Sequence, residues 1–268
     1  MSMSEKIRQN SLPEERKFLD AIIERNECIA SETYEMVLLP EIDFPPSKPG
    51  QFVNLYLKGI FPRPFSIAGR YGEKEFKILY KVIGKNTEYL SGLQKGSRIK
   101  IAGPLGHGFE WKEKEYSGFV LVGGGIGVAP LFYLWDNLKN VEAKKYFFAG
   151  FKNSSEIVEP DGLGNILLAT EDGSAGYKGT VVDLLEEEIE KFSSPLKIFA
   201  CGPGGLLKKA VTIANRFNHD IEIALETVMA CGMGLCQGCV VKYMAEEGEE
   251  FRLVCKDGPV FDGKKIIF

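Results

Sequence analysis

The chain has 268 residues, 44% hydrophobic and 26% charged, with 33 Lys+Arg against 37 Asp+Glu for a formal charge of −4. That length suits two domains with a small appendage, and the composition excludes a disordered chain or a collagen-like repeat. Without a basic excess nucleic acid is not an expected partner, and two histidines leave little room for His-rich metal chemistry.

Residues 1–17 are polar and are expected to be a loosely ordered extension. From Phe18 the chain reads as β-structure. The runs Ala21-Ile22-Ile23, Tyr34 to Leu39, Gln51 to Leu57, Phe76 to Val82 and Arg98 to Ala102 are separated by Gly, Pro, Asn or Asp. Short strands at such spacing predict a closed antiparallel barrel over residues 18–112, interrupted by one short helix at Thr87 to Leu93.

After Trp111 the rhythm changes. Strands are predicted at Phe119 to Val122, Lys145 to Phe151, Ile166 to Ala169 and Lys197 to Ala200. Helices are predicted at Leu131 to Leu138, Val181 to Phe192 and Leu206 to Phe217. Alternation of this kind implies an α/β domain with a parallel sheet, here residues 113–222. Residues 223–268 hold four of the six cysteines and are too short to build a core unless something staples them.

Tyr116 to Trp135 carries no charge and is long enough by count to span a membrane. Gly123, Gly124, Gly125, Gly127 and Pro130 in its middle favour a buried strand, a glycine turn and a helix start instead. The N-terminal stretch has no apolar run resembling a signal peptide, so a cytoplasmic protein with no membrane contact is expected.

Cys231, Cys236, Cys239 and Cys255 stand as C-x4-C-x2-C-x15-C. This is the plant-type [2Fe-2S] spacing, with three thiolates on one loop and a fourth from elsewhere. Gly232, Gly234 and Gly238 would let the loop wrap an anionic cluster, because glycine accepts φ > 0 at little steric cost. A zinc site remains open, although four-cysteine zinc sites usually present two C-x2-C knuckles and only Cys236 and Cys239 make one. Disulfides do not suit a cytoplasmic setting.

Gly123 to Pro130 follows a strand and opens a helix, a context in which backbone N–H groups and the helix dipole favour a phosphate. The G-x-G-x-x-G pattern is not met, since Pro130 takes the third glycine position and no acidic ribose ligand follows. The loops Thr170 to Ser174 and Cys201-Gly202-Pro203-Gly204 lie at strand ends where ligands of open α/β sheets collect. In the barrel, Arg63-Pro64-Phe65-Ser66 combines a phosphate fork, an aromatic face and a hydroxyl. Gly84 to Thr87 offers further phosphate donors. Each of these segments, taken alone, also reads as a plain turn or a structural surface residue.

In this order, the segments resemble the ferredoxin–NADP reductase superfamily. Arg63 to Ser66 is similar to its flavin motif R-x-[YF]-[ST], Gly123 to Pro130 to its pyridine-nucleotide loop, and Cys201-Gly202-Pro203 to its C-G-P. Glu226 to Cys239 and Val254 to Phe261 narrow the resemblance to the electron-transfer subunits of B-type dihydroorotate dehydrogenases.

The resemblance implies a six-stranded FAD-binding barrel, an NAD-binding parallel-sheet domain and a small C-terminal [2Fe-2S] domain. Arg63 would clamp the FAD pyrophosphate, Phe65, after Pro64, would flank the isoalloxazine, and Ser66 would reach its N5 edge. Leu79, Tyr80 and Lys81 would offer backbone to the flavin, and Asn86-Thr87 would hold the pyrophosphate where relatives usually carry Gly-Thr. Gly124, Gly125, Gly127, Cys201, Gly202 and Pro203 would line the NAD(H) site, while Cys201 reads equally as a structural thiol.

By the same resemblance, a nicotinamide exchanges a hydride with the flavin, which passes electrons singly to the cluster and on to a partner. That partner would be an FMN-containing dihydroorotate dehydrogenase subunit of pyrimidine biosynthesis, in a heterotetramer of two copies each. NADH is expected over NADPH, because no Arg pair follows the second sheet strand. A sister reductase subunit of a hydrogenase or a ferredoxin-dependent NADPH reductase stays open, as does a redox-inactive, zinc-stabilised nucleotide-binding module. Cys28 reads as a strand residue, His107 as a loop residue near the flavin, and His219 as a surface loop residue.

Overall fold

In the computed structural model, residues 18–57, 62–72, 74–112, 115–159 and 166–268 are described. The expectation for residues 1–17 lies outside them. β1 (Phe18–Ala30) begins with period-two burial, Leu19, Ala21 and Ile23 turning inward. It is joined by β2 (Thr33–Pro40), β3 (Phe52–Tyr56), β4 (Arg63–Tyr71), β5 (Glu75–Lys81) and β6 (Arg98–Leu105). These six close into an antiparallel barrel in the order β1-β2-β5-β4-β3-β6.

The first helix, α1 (Lys85–Ser91), starts two residues earlier than its sequence pattern indicates. Its Leu90 enters the barrel core, and Asn26 Nδ2 of β1 donates to the Leu90 carbonyl at 2.8 Å. β4 carries no strand signal at its start because Arg63-Pro64 opens it. Sheet pairing with β3 and β5 nonetheless makes it a barrel strand.

Tyr116 to Trp135 resolves as β7 (Gly118–Gly124), a 3-10 turn at Gly125–Gly127 and the first part of α2 (Val128–Leu138). Every residue of β7 is buried, which explains its uninterrupted apolar run. Among the described residues no helix is long and apolar enough to cross a membrane. Pro130 falls in the first turn of α2, where its missing N–H costs nothing. Tyr133 of the same helix enters the barrel core and donates its hydroxyl to the Ser47 carbonyl at 2.8 Å, tying sheet to barrel.

The sheet continues with β8 (Lys144–Phe151), β9 (Ile166–Thr170), β10 (Tyr177–Lys178), β11 (Leu196–Cys201) and β12 (Asp220–Ala224). Its helices are α3 (Val181–Glu188), which Thr180 caps, and α4 (Gly204–Arg216). β13 (Val240–Ala245), β14 (Gly248–Leu253) and β16 (Ile266–Ile267) form a separate three-stranded sheet, with α5 (Val254–Asp257) after β14. β15 (Val260–Asp262) instead adds to the parallel sheet, antiparallel to β12, giving the order β10-β9-β8-β7-β11-β12-β15.

The C-terminal segment completes its core with barrel residues. Phe52 of β3 and Leu105 of β6 pack with Tyr243, Val254 and Phe261. His107, read from sequence as a loop residue, donates its backbone N–H to the Gly258 carbonyl at 2.6 Å. His219 corrects the sequence reading. It is only 4% exposed, because Asn218 at φ 53 ends α4 with a turn that tucks it inward.

Candidate functional site

Cys231, Cys236 and Cys239 lie on the loop between β12 and β13, and Cys255 comes from α5. Two of the sulfurs meet directly, and a backbone donor links the other two residues. Cys239 Sγ stands 3.2 Å from Cys255 Sγ, and the Cys236 backbone donates to Cys231 Sγ at 3.4 Å. Met233, Gly234, Gly238 and Cys255 also aim backbone N–H groups at these sulfurs, that of Gly234 reaching Cys255 Sγ at 3.0 Å. Gly232 and Gly234, at φ 64 and 80, permit this wrap.

Electrostatics separates the four thiols. Burial would raise Cys231, but N–H donors from Met233 and Cys236 overcome it and bring its pKa down to about 7. Burial and the neighbouring Cys239 push Cys255 up to about 12. Two irons sharing four thiolates need backbone donors aimed at every sulfur, and here each of the four receives at least one N–H. The donor set therefore fits a binuclear cluster.

The segment that resembles a flavin motif, Arg63 to Ser66, lies along β4. Arg63 is exposed at its start, and Pro64, Phe65 and Ser66 are half-buried. With its amide oxygen turned toward Arg63, Asn86 accepts from Nε and Nη2 at 2.7 Å each. This uses two of the five guanidinium donors and leaves the other edge of the fork for a phosphate. Phe65 meets Tyr80 edge-on at 5.9 Å. Leu79 and Tyr80 are buried on β5, and Lys81 pairs with Glu156 at 2.7 Å. Thr87 is placed differently from its neighbour. Its hydroxyl accepts from the Ile83 N–H at 2.9 Å and donates to the Gly84 carbonyl at 3.0 Å, so it serves the start of α1.

The sheet order places its topological switch between β7 and β11, where open α/β sheets bind ligands. Both glycine-rich segments meet there. A Cβ on Gly202 would stand 3.1 Å from the Gly124 nitrogen, and one on Gly127 would stand 2.6 Å from the Cys201 carbonyl oxygen. Cys201 itself is buried. Burial, with some contribution from the Glu226 charge, raises its thiol well above the ordinary value, so it is protonated at neutral pH. The loops after β8 and β9 lie side by side, the Asp172 N–H donating to the Lys152 carbonyl at 3.2 Å.

Two site residues escape sequence reasoning. Asn54 of β3, 1% exposed, donates Nδ2 to the Cys231 carbonyl at 3.1 Å, joining the barrel to the thiolate loop. A lone Asn in an apolar strand was the only signal, and its partner lies 177 residues away. Glu226 lines a cleft of about 400 Å³ with Gly202, Pro203, Gly204, Thr227 and Lys242. It is exposed as a residue, yet desolvation of its carboxyl raises its pKa.

The family model for the iron-sulfur cluster binding domain of dihydroorotate dehydrogenase B matches residues 226–267. The chain is 40% identical over 247 residues to the electron transfer subunit of dihydroorotate dehydrogenase B (NAD(+)) from Caldanaerobacter subterraneus, covering 91% of this chain and 96% of that one. To the subunit of the same name from Clostridium acetobutylicum it is 42% identical, covering 82% and 86%.

Among solved structures, an NADH-dependent reduced ferredoxin-NADP oxidoreductase matches with a TM-score of 0.82 and 28% identity, covering 92% of this chain and 89% of that one. A ferredoxin NADP+ reductase from Neisseria gonorrhoeae shares the fold, with a TM-score of 0.66 and 16% identity over 79% of this chain and 100% of that one. Relatives of 40% and 42% identity span nearly the same length, and the chain belongs to the family of electron-transfer subunits of NAD(+)-dependent dihydroorotate dehydrogenase B.

Proposed function

We propose that the chain holds FAD on β4 and β5, NAD(H) at the switch between β7 and β11, and a [2Fe-2S] cluster on Cys231, Cys236, Cys239 and Cys255. It would connect NAD(H) to an FMN-containing catalytic subunit that interconverts dihydroorotate and orotate in pyrimidine biosynthesis. The observation that carries this reading is the Asn54–Cys231 hydrogen bond, which fastens the thiolate loop to the strand paired with the flavin motif. When bound, these groups supply hydride acceptance and one-electron relay.

The residues supply placement. Arg63, oriented by Asn86, presents a free fork edge to a pyrophosphate, and Phe65 offers an aromatic face beside Tyr80. Gly125, with open space beside it, leaves room for a second pyrophosphate, Gly124 and Gly127 pack the turn against its neighbours, and Cys201-Gly202-Pro203 bounds the nicotinamide end. Glu171 and Asp172, exposed beside Lys152, would repel a 2′-phosphate, which supports NADH over NADPH. Of the four cluster cysteines Cys236 is the exposed one, and on the same loop Leu235 and Val228 are 74% and 87% exposed, a surface suited to the catalytic partner.

A heterotetramer of two copies of each subunit is the assembly we propose, in the cytoplasm, where six unpaired cysteines stay reduced. Co-expression with an FMN-containing dihydroorotate-oxidising subunit should give a yellow-brown complex with iron, acid-labile sulfide and NADH-linked orotate turnover. Stoichiometric zinc without sulfide would overturn the proposal.

A further inference from the structure

The alternation of β3 divides its side chains between two environments. Val53 and Leu55 fill the barrel core, whereas Phe52 packs into the C-terminal core and Asn54 holds the Cys231 carbonyl at 3.1 Å. Asn54 is 1% exposed, and its backbone pairs with Pro64 of β4, so a closed barrel holds it in place. Gly232, at φ 64, passes so close that a Cβ would stand 2.4 Å from Asn54 Nδ2. Asn54 therefore fixes the plane of the peptide that joins Cys231 to Gly232.

That peptide is trans, so its C=O and N–H point in opposite directions. With the carbonyl drawn onto Asn54, the Gly232 N–H is turned away from the barrel strand. Gly232 is buried, yet its N–H has no acceptor among the described residues. The Cys231 sulfur takes the N–H groups of Met233 and Cys236 instead, at 3.4 Å each. Buried backbone donors are nearly always paired, so one left open next to a ligand residue calls for an acceptor from outside the chain.

Resting on the reading of the four cysteines as cluster ligands, we propose that Asn54 is a positioning residue: by holding the Cys231 carbonyl it aims the Gly232 N–H at an inorganic sulfide of the loaded cluster and raises the cluster's reduction potential. Reduction adds one negative charge to the cluster, so a donor to its sulfur stabilises the reduced form.

The test is redox titration of the loaded full chain, followed by the electron paramagnetic resonance of the reduced cluster. Asn54→Leu keeps the volume and loses the donor. It should retain iron, sulfide and FAD, while the ratio of reduced to oxidised cluster at fixed solution potential falls about 2–10-fold. Leu105→Val is the contrasting variant, since it loosens the packing with Tyr243, Val254 and Phe261 without touching the loop peptide. It should lower the melting temperature and leave the potential in place. An unchanged potential in Asn54→Leu, or an equal shift in both variants, would overturn the proposal. Hydrogen exchange of the unsubstituted loaded chain, read at single residues by mass spectrometry, is independent of how the variants assemble. The Gly232 amide should resist exchange, and exchange as fast as that of an open loop would overturn the proposal equally. Absence of labile sulfide from the unsubstituted protein would instead sink the cluster reading on which it rests.

Discussion

Gly127 and Cys201 approach until a Cβ on the glycine would lie 2.6 Å from the cysteine carbonyl oxygen, so the two strand ends flanking the switch point touch through bare backbone. Gly127→Ala must push these segments apart, because backbone cannot rotate away as a side chain can. The expected outcome is at least tenfold weaker NADH binding with FAD content unchanged, measured by titration of the purified subunit. Gly125→Ala is the contrasting variant. It has open space but φ 54, so it should lose only about 1–2 kcal/mol to backbone strain.

Arg63 presents one edge of its fork to Asn86 and keeps the other free. Arg63→Ala removes charge-assisted bonds worth about 1.5–3 kcal/mol and should weaken FAD binding on the order of 10–100-fold. Flavin fluorescence on titration of the apoprotein measures this. Asn86→Asp preserves the contact with Arg63 but adds a negative charge beside the pyrophosphate, and should weaken FAD binding as well. FAD affinity unchanged in both variants would place the pyrophosphate elsewhere.

The cysteine pKa values predict an order of reaction in the cluster-free protein. Cys231 is depressed to about 7 and Cys255 raised to about 12. At pH 8 Cys231 is mostly thiolate and Cys255 fully protonated, so iodoacetamide should label Cys231 long before Cys255, as read by peptide mass spectrometry. The linked stability has a definite sign. The donors to the Cys231 thiolate stabilise the folded loop above the ordinary thiol pKa, and this contribution is lost as pH falls through about 7. Equal labelling of both cysteines would contradict the hydrogen bonding described.

Lys81 and Glu156 join β5 to the loop after β8 through a 2.7 Å ion pair whose side chains are 24% and 17% exposed. Glu156→Gln should lower the melting temperature by only about 2–4 °C, since a partly exposed pair contributes up to ~1 kcal/mol. Differential scanning calorimetry of the apoprotein checks it.

Local pattern alone determined much of this protein. The unbroken apolar run of β7, the glycine turn and Pro130 in the first turn of α2 follow from neighbouring residues. So does C-x4-C-x2-C-x15-C, because a binuclear cluster demands four thiolates at chain spacings that few other functions need. What only the tertiary structure decided are relations between residues distant in sequence. Asn54 and Cys231 meet across 177 positions, and β15 leaves its own small sheet to edge the parallel one. The closing segment finds its core on Phe52 and Leu105 of the barrel. Periodicity tells which face of a strand is apolar, but not which distant surface will cover it. That choice is made by packing, where shape and unsatisfied hydrogen bonds are compared across the whole molecule at once.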